Sequence, residues 1–283
     1  LPGESPELGF MSPPSWTHVV EGAPGRILTA RLKVSERISL AGLVVQPVTP
    51  PDDQMINEAG LAARDADPAI VVVGLTAEQE TEALDKKTLV LPGRQDDLVR
   101  AVAGAARRTV VVINAATPVL MPWLDDVDAV LWIGLPGQEG GHAVADVLLG
   151  TTEPTGRLVT TFPANDGDGP AWNVTPQDGA LDYAEGTRVG YRGWYGSDVM
   201  PAFWFGAGLG WGVWDYRSAK HHRVDSTESL TVVLANTAQH VSREVVQVYW
   251  RPEGCAPPRL VGYAVADEVV PGEERTVTVE CDP

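Results

Sequence analysis

Apolar and polar positions change period along this chain, and each change marks a different kind of structure. The clearest apolar block is Ile70-Val71-Val72-Val73, closed by Gly74. Four consecutive β-formers ended by glycine read as a short strand buried on both faces, as in parallel sheets. Residues 109–113 (TVVVI), 129–133 (AVLWI) and 157–162 (RLVTTF) repeat the signal. Helical periods separate them. Asp52 and Asp53 precede Met55, Ile56, Ala59, Leu61, Ala62 and Ala63, which suits a short helix packed on a sheet. Leu98, Val99, Val102 and Ala105 share one face of a helix over about residues 94–106. A third helix, residues 142–149, ends at Gly150, a suitable residue for a left-handed cap. Strands alternating with helices at this spacing specify a mostly parallel, doubly wound α/β sandwich.

On either side the pattern is different. Residues 26–33 and 38–45 alternate and read as strands of a partial β module at the N-terminus, with Pro47, Pro50 and Pro51 as a linker. From residue 163 to about 219 there is no period, many Gly and Pro residues, and most of the aromatic side chains. A stretch that long without regular structure is usually functional or wraps a neighbouring domain. Alternation returns at residues 230–234, 245–250, 260–265 and 275–279, with turns at Asn236-Thr237 and Pro271-Gly272. Short strands so spaced predict a small all-β sandwich. The expected layout is residues 1–50, 51–163, 164–222 and 223–283, with His221-His222 in an exposed linker.

Composition narrows the function classes. The 283 residues carry 21 basic and 38 acidic side chains, a formal net charge of −17. That balance opposes binding to nucleic acid or an anionic membrane. No run of about 18 apolar residues occurs, so no membrane-spanning helix is expected. Leu1 stands first and no leader pattern follows, as expected of a processed product or a piece of a longer chain. The compartment, secreted or cytoplasmic, stays open. Cys255 and Cys281 lie near the C-terminus, and both a disulfide and two separate thiols remain open. Asn173-Val174-Thr175 fits the glycosylation acceptor pattern.

Candidate chemistry is concentrated after the first strand of the sandwich. The loop leaving Gly74 carries Glu78, Glu80, Glu82 and Asp85, then Lys86 and Lys87. In open α/β sheets ligands bind in the crevice at the carboxyl ends of the strands. An acid-rich loop there is either a site or a solvated surface. The glycine-rich loop at residues 134–141 lacks both the dinucleotide and the Walker patterns, so no phosphate cradle and no nucleotide cofactor are expected. His142, His221 and His222 show no metal-ligand spacing with either Cys. Trp194, Trp204, Trp211 and Trp214 suit a sugar platform, although core and interface packing is the commoner use of Trp.

The order of motifs resembles the C-terminal part of glycoside hydrolase family 3, the β-glucosidase family. The resemblance rests on VVVGL with its Glu-x-Glu loop, TLVLPGRQDDLV at residues 88–99, VVVIN at 110–114 with PVL and PW, and PGQEGG at 136–141. It continues through DVLLG, PTGRL and TFP to YAEG, VGYR and FGAGL, then EVVQVY and LVGY. It implies an α/β sandwich followed by a fibronectin III-like domain. The strands before residue 46 resemble the end of a PA14 module. The implied activity is hydrolysis of terminal β-linked sugars with retention, by two carboxyl groups about 5–5.5 Å apart.

In that family the nucleophilic Asp sits on a (β/α)8 barrel, which needs about 200 residues or more. The implied partners are therefore a β-linked glycoside and a barrel held elsewhere. Laying the family's loop motif on residues 79–86 puts the general acid/base at Glu82, with Glu80, Asp85 and Lys86 as its substrate-side neighbours. The loop departs from the family: Gln79 replaces Trp, Ala83 replaces Gly, Leu84 an aromatic and Lys86 Arg. Farther on, Ala207, Gly210 and Trp211 stand where His, Ser and Tyr are usual. Two functions of different class follow: an enzyme part supplying Glu82, inactive alone, or a non-catalytic carbohydrate-binding or structural module.

Overall fold

Valine and isoleucine runs pair in register as their pattern predicts. The computed structural model describes residues 18–20, 48–76, 79–81, 85–172, 174–251 and 257–282. In it β1 (Ala69–Gly74), β2 (Thr109–Asn114) and β3 (Ala129–Trp132) form a parallel sheet in the order β1-β2-β3. The partial β module expected over residues 1–50 lies outside the described residues, save for 18–20 and 48–50. Cys255 and Asn173 are likewise outside them.

The described chain forms two compact units. One holds the described residues up to Lys87 with Leu91–Ala116 and Trp123–Trp132. It contains the sheet, α1 (Asp52–Ala63) and α2 (Gln95–Ala103), with α2 packed on β1 and β2 and α1 on α2. Asp52 and Asp53 occupy the first turn of α1, where carboxylates complement the helix dipole. Val111, Val112 and Ile113 of β2 are fully buried, with Val99 and Val102 of α2 and Trp123 completing the core. Trp123 Nε1 donates to Asp96 Oδ1 at 2.7 Å, so the buried indole keeps its hydrogen bond.

Two expectations are corrected in this part of the chain. β2 is buried as predicted, but β1 is covered on one face only: Val71 and Val73 are inside, whereas Ile70 and Val72 are 50% and 65% exposed. α2 packs on one side, and no element among the described residues covers Ile70 and Val72. The run at residues 157–162 is extended but joins no sheet. It pairs with residues 203–207 through Phe162–Phe203 and Leu158–Ala207 backbone bonds. Thr161 and Phe162 at its end are buried, and the Phe162 ring meets Phe203 edge-on at 6.5 Å.

The other unit holds Thr88–Val90, Thr117–Pro122 and the described residues from Ile133. It contains α3 (Gly140–Leu148), the short α4 (Tyr191–Trp194) and five antiparallel strands. β4 (Trp214–Val224), β5 (Thr227–Asn236) and β8 (Glu274–Cys281) make one sheet, and β6 (Ser242–Trp250) and β7 (Arg259–Val269) pair in a second. Val232, Leu234, Val246, Ala266, Val269 and Val279 form its core, with Trp214 packed against them. His221 and His222, read as linker, lie in β4. The sandwich thus begins at Trp214. The fold is an α/β sandwich followed by a small β-sandwich.

Candidate functional site

Gly74 ends β1 against the Asn114 carbonyl oxygen of β2, with which a Cβ at that position would collide. The next residue continues the ladder, Leu75 N donating to Asn114 O at 3.1 Å. Gln95, the first residue of α2, closes the strand end: its amide accepts from Gly74 N at 2.8 Å and donates to Gly74 O at 2.9 Å. Its Nε2 also reaches Pro92 O at 3.0 Å. The exit of β1 is therefore fixed on both the donor and the acceptor side.

Beyond it the chain folds into a tight turn. Gln79 N and Glu80 N both donate to Thr76 O, while Gln79 Oε1 accepts from Thr76 N at 3.1 Å and from Thr76 Oγ1 at 2.5 Å. Glu80 Oε1 accepts from Ala116 N at 2.5 Å, two residues past the end of β2. One carboxylate thus ties the loop after β1 to the loop after β2, at the carboxyl edge of the parallel sheet. Burial lowers the Lys86 pKa from its ordinary value, and the negative charge of Glu80 opposes that shift. Asp85 is exposed and Lys86 half-buried.

Of the four residues expected in the site, the structure places Glu80, Asp85 and Lys86 on one loop. Glu82, with Ala83 and Leu84, lies outside the described residues. Sequence reasoning missed Gln95 and Ala116. Gln95 stood in the TLVLPGRQDDLV run with no mark of its role, and a backbone N–H such as that of Ala116 leaves no side-chain signal. Among the described residues no three His, Cys, Asp or Glu side chains are arranged to hold a metal ion.

Of the four tryptophans named above, two are taken up by packing. Trp194 is buried, Trp214 packs on the sandwich core, and Trp204 and Trp211 are half-buried. Trp211 N donates to Glu153 Oε1 at 2.7 Å, the carboxylate that also receives Ser242 Oγ and Arg243 N. Glu153 is thus a structural hub tying residues 211 and 242–243 together.

Comparison with known proteins is consistent across sequence and structure. The family model described as "Glycosyl hydrolase family 3 C-terminal domain" matches residues 9–211. The thermostable beta-glucosidase B of Acetivibrio thermocellus is 36% identical over 239 residues, covering 82% of this chain and 32% of that protein. A beta-glucosidase of Rhizobium radiobacter is 41% identical over 210 residues, 71% of this chain and 25% of that one. Among solved structures, DesR, a beta-glucosidase from Streptomyces venezuelae in complex with D-glucose, superposes with a TM-score of 0.75 at 36% identity, over 81% of this chain and 30% of that chain. The beta-glucosidase of Kluyveromyces marxianus in complex with glucose gives 0.77 at 34% identity, over 83% and 28%. The chain spans a third or less of the length of each of these relatives.

Proposed function

The chain belongs to glycosyl hydrolase family 3, and on that premise we propose that it is the C-terminal part of a retaining β-glucosidase-type enzyme that supplies the general acid/base, Glu82. The relatives named above are beta-glucosidases, which makes a terminal β-linked glucoside the first substrate to try. The nucleophilic Asp comes from a (β/α)8 barrel held outside this chain. Attack by that Asp at the anomeric carbon expels the aglycone oxygen as Glu82 protonates it. Glu82, now a carboxylate, then takes a proton from the water that hydrolyses the glycosyl-enzyme.

The observation that supports this reading best is the fixed exit of β1. A loop bearing carboxylates leaves a parallel strand at the edge where such sheets place ligands, and Glu80 ties it to the next strand's end. Engaged with Ala116 N, Glu80 takes the role of anchor rather than of sugar ligand. Its carboxylate stands two residues from Glu82 in sequence, and a like charge close by is one of the means by which a general acid is kept protonated near neutral pH. Asp85 and Lys86, later on the same loop, contribute the donors and acceptors nearest the substrate hydroxyls.

A non-catalytic module is the second reading. Gln79, where the family motif has Trp, accepts hydrogen bonds from Thr76 N and Oγ1, a contact no Trp could make, and this supports a loop altered from the family's. The two readings part on one experiment: turnover of an aryl β-glucoside by this chain alone and by this chain mixed with a family barrel. The expected result is no turnover alone and turnover on mixing. A correctly folded mixture that binds the glucoside without hydrolysing it overturns the catalytic reading.

A further inference from the structure

The outer face of the β6–β7 pair carries an aromatic strip that the catalytic reading does not use. Gln247 and Tyr249 alternate along β6 and so point to one side, and Arg251 follows just past the strand's end. Tyr249 Oη donates to Gln247 Oε1 at 2.8 Å, which confirms their shared face. Tyr263 is the register partner of Gln247 and joins them, 67% exposed. Tyr249 is 38% exposed.

The strip is backed by α4 and the residue after it. Tyr191 and Tyr195 are four apart and lie on one side of that turn. The Tyr191 ring stacks on Phe205 at 4.9 Å and meets Tyr249 edge-on at 5.8 Å, while its hydroxyl accepts from Leu260 N at 2.8 Å. Tyr195 lies under the Arg251 guanidinium, 5.2 Å from ring centroid to the guanidinium carbon. Arg251 is exposed. Among the described residues no carboxylate pairs with it, in a chain of net charge −17.

The side-chain chemistry selects the ligand. Flat tyrosine faces suit the apolar faces of pyranose rings. Gln247 has its amide committed to Gly206 O and Tyr249, so among the described residues the Arg251 guanidinium and the Tyr263 hydroxyl are the strip's polar groups without a hydrogen-bond partner. A guanidinium is donor-only, and its fork matches a carboxylate. We propose that Tyr249, Tyr263 and Arg251 form a binding strip for an acidic oligosaccharide, sugar rings lying on the tyrosines and a uronate carboxylate on Arg251. It is separate from the Glu82 loop and does not depend on that loop's being catalytic.

Titration calorimetry of the whole chain with tetragalacturonic acid, and with cellotetraose as the uncharged comparison, tests it. The expected result is saturable binding of the acidic tetramer at least tenfold tighter than of the neutral one, weakening as salt rises. Arg251→Met, which keeps the stem, and Tyr263→Ala, at an exposed position, are each expected to raise Kd at least fivefold while thermal unfolding stays unchanged. Glu82→Gln is expected to leave Kd as it is, so failure of the acid/base reading and failure of this one remain distinguishable. No saturable binding, equal affinity for the two tetramers, or an unchanged Kd in both strip variants overturns the proposal.

Discussion

At the scale of single residues, the exit of β1 depends on side chains whose roles are all backbone satisfaction. Gly74→Ala drives a Cβ into the Asn114 carbonyl and forces β1 and β2 apart, and it is expected to cost about 3 kcal/mol of stability, read by denaturant unfolding. Glu80→Gln keeps an acceptor for Ala116 N but removes the charge. Its half-exposed position limits the cost to about 1 kcal/mol. The same substitution removes a like charge two residues from Glu82 in sequence, so the alkaline limb of the pH–rate profile of the barrel-complemented protein, set by the proton donor, is expected to shift to lower pH. Little of this was legible beforehand. Glu80 stood out because carboxylates on a strand-end loop are conspicuous, but Gln95 and Ala116 act through hydrogen bonds that no spacing announces.

Among the elements, apolar runs were readable wherever burial was strong. β2 followed from Val110-Val111-Val112-Ile113, and β5 from Leu230-Thr231-Val232-Val233-Leu234. β4 was not readable. It is an edge strand with one partner, β5, and its Asp215, Arg217, Lys220, His221 and Arg223 carry no apolar alternation because most of its positions are exposed. Residues 157–162 failed in the opposite sense. Their β-like composition serves one extended pairing with residues 203–207 rather than a sheet. Turn chemistry was clearer: Asn236-Thr237 was read as a turn, and Asn236 proves to be its fastener. Fully buried, it donates to His240 O and Val269 O, both at 2.8 Å, and accepts from Ala238 N at 3.0 Å. Asn236→Ala strands those carbonyls and is expected to cost about 3 kcal/mol, measured as a fall in the denaturation midpoint at unchanged slope.

For the whole molecule, an excess of acid over base makes the surface arginines the main partners of carboxylates. Hydrogen bonds from Arg108, Arg243 and Arg275 hold Asp67, Asp267 and Glu273 below the ordinary carboxylate range. A carboxylate with a lowered native pKa stabilises the fold fully above its unfolded value, about 4, and loses that contribution as pH falls through the lowered value. Unfolding followed from pH 6 to pH 2 is therefore expected to show stability declining from about pH 4 downward. In Arg243→Met the Asp267 carboxyl, followed by NMR, is expected to titrate nearer its ordinary value. These groups are surface-exposed, so added salt is expected to shrink both effects.

Family membership and architecture were legible because their motifs run in order along most of the chain, whereas the proposed catalytic role rests on one residue of this chain, Glu82, which lies outside the described residues. Proton donation matters most when the departing oxygen is a poor leaving group. The most direct measurement is kcat/KM of the barrel-complemented protein and its Glu82→Gln variant on an alkyl β-glucoside and on the 2,4-dinitrophenyl β-glucoside, whose aglycone leaves without a proton. The expected result is a loss of about 10²–10⁴-fold on the alkyl substrate and little change on the activated one. Equal activity of the two proteins on the alkyl glucoside contradicts Glu82 as the acid.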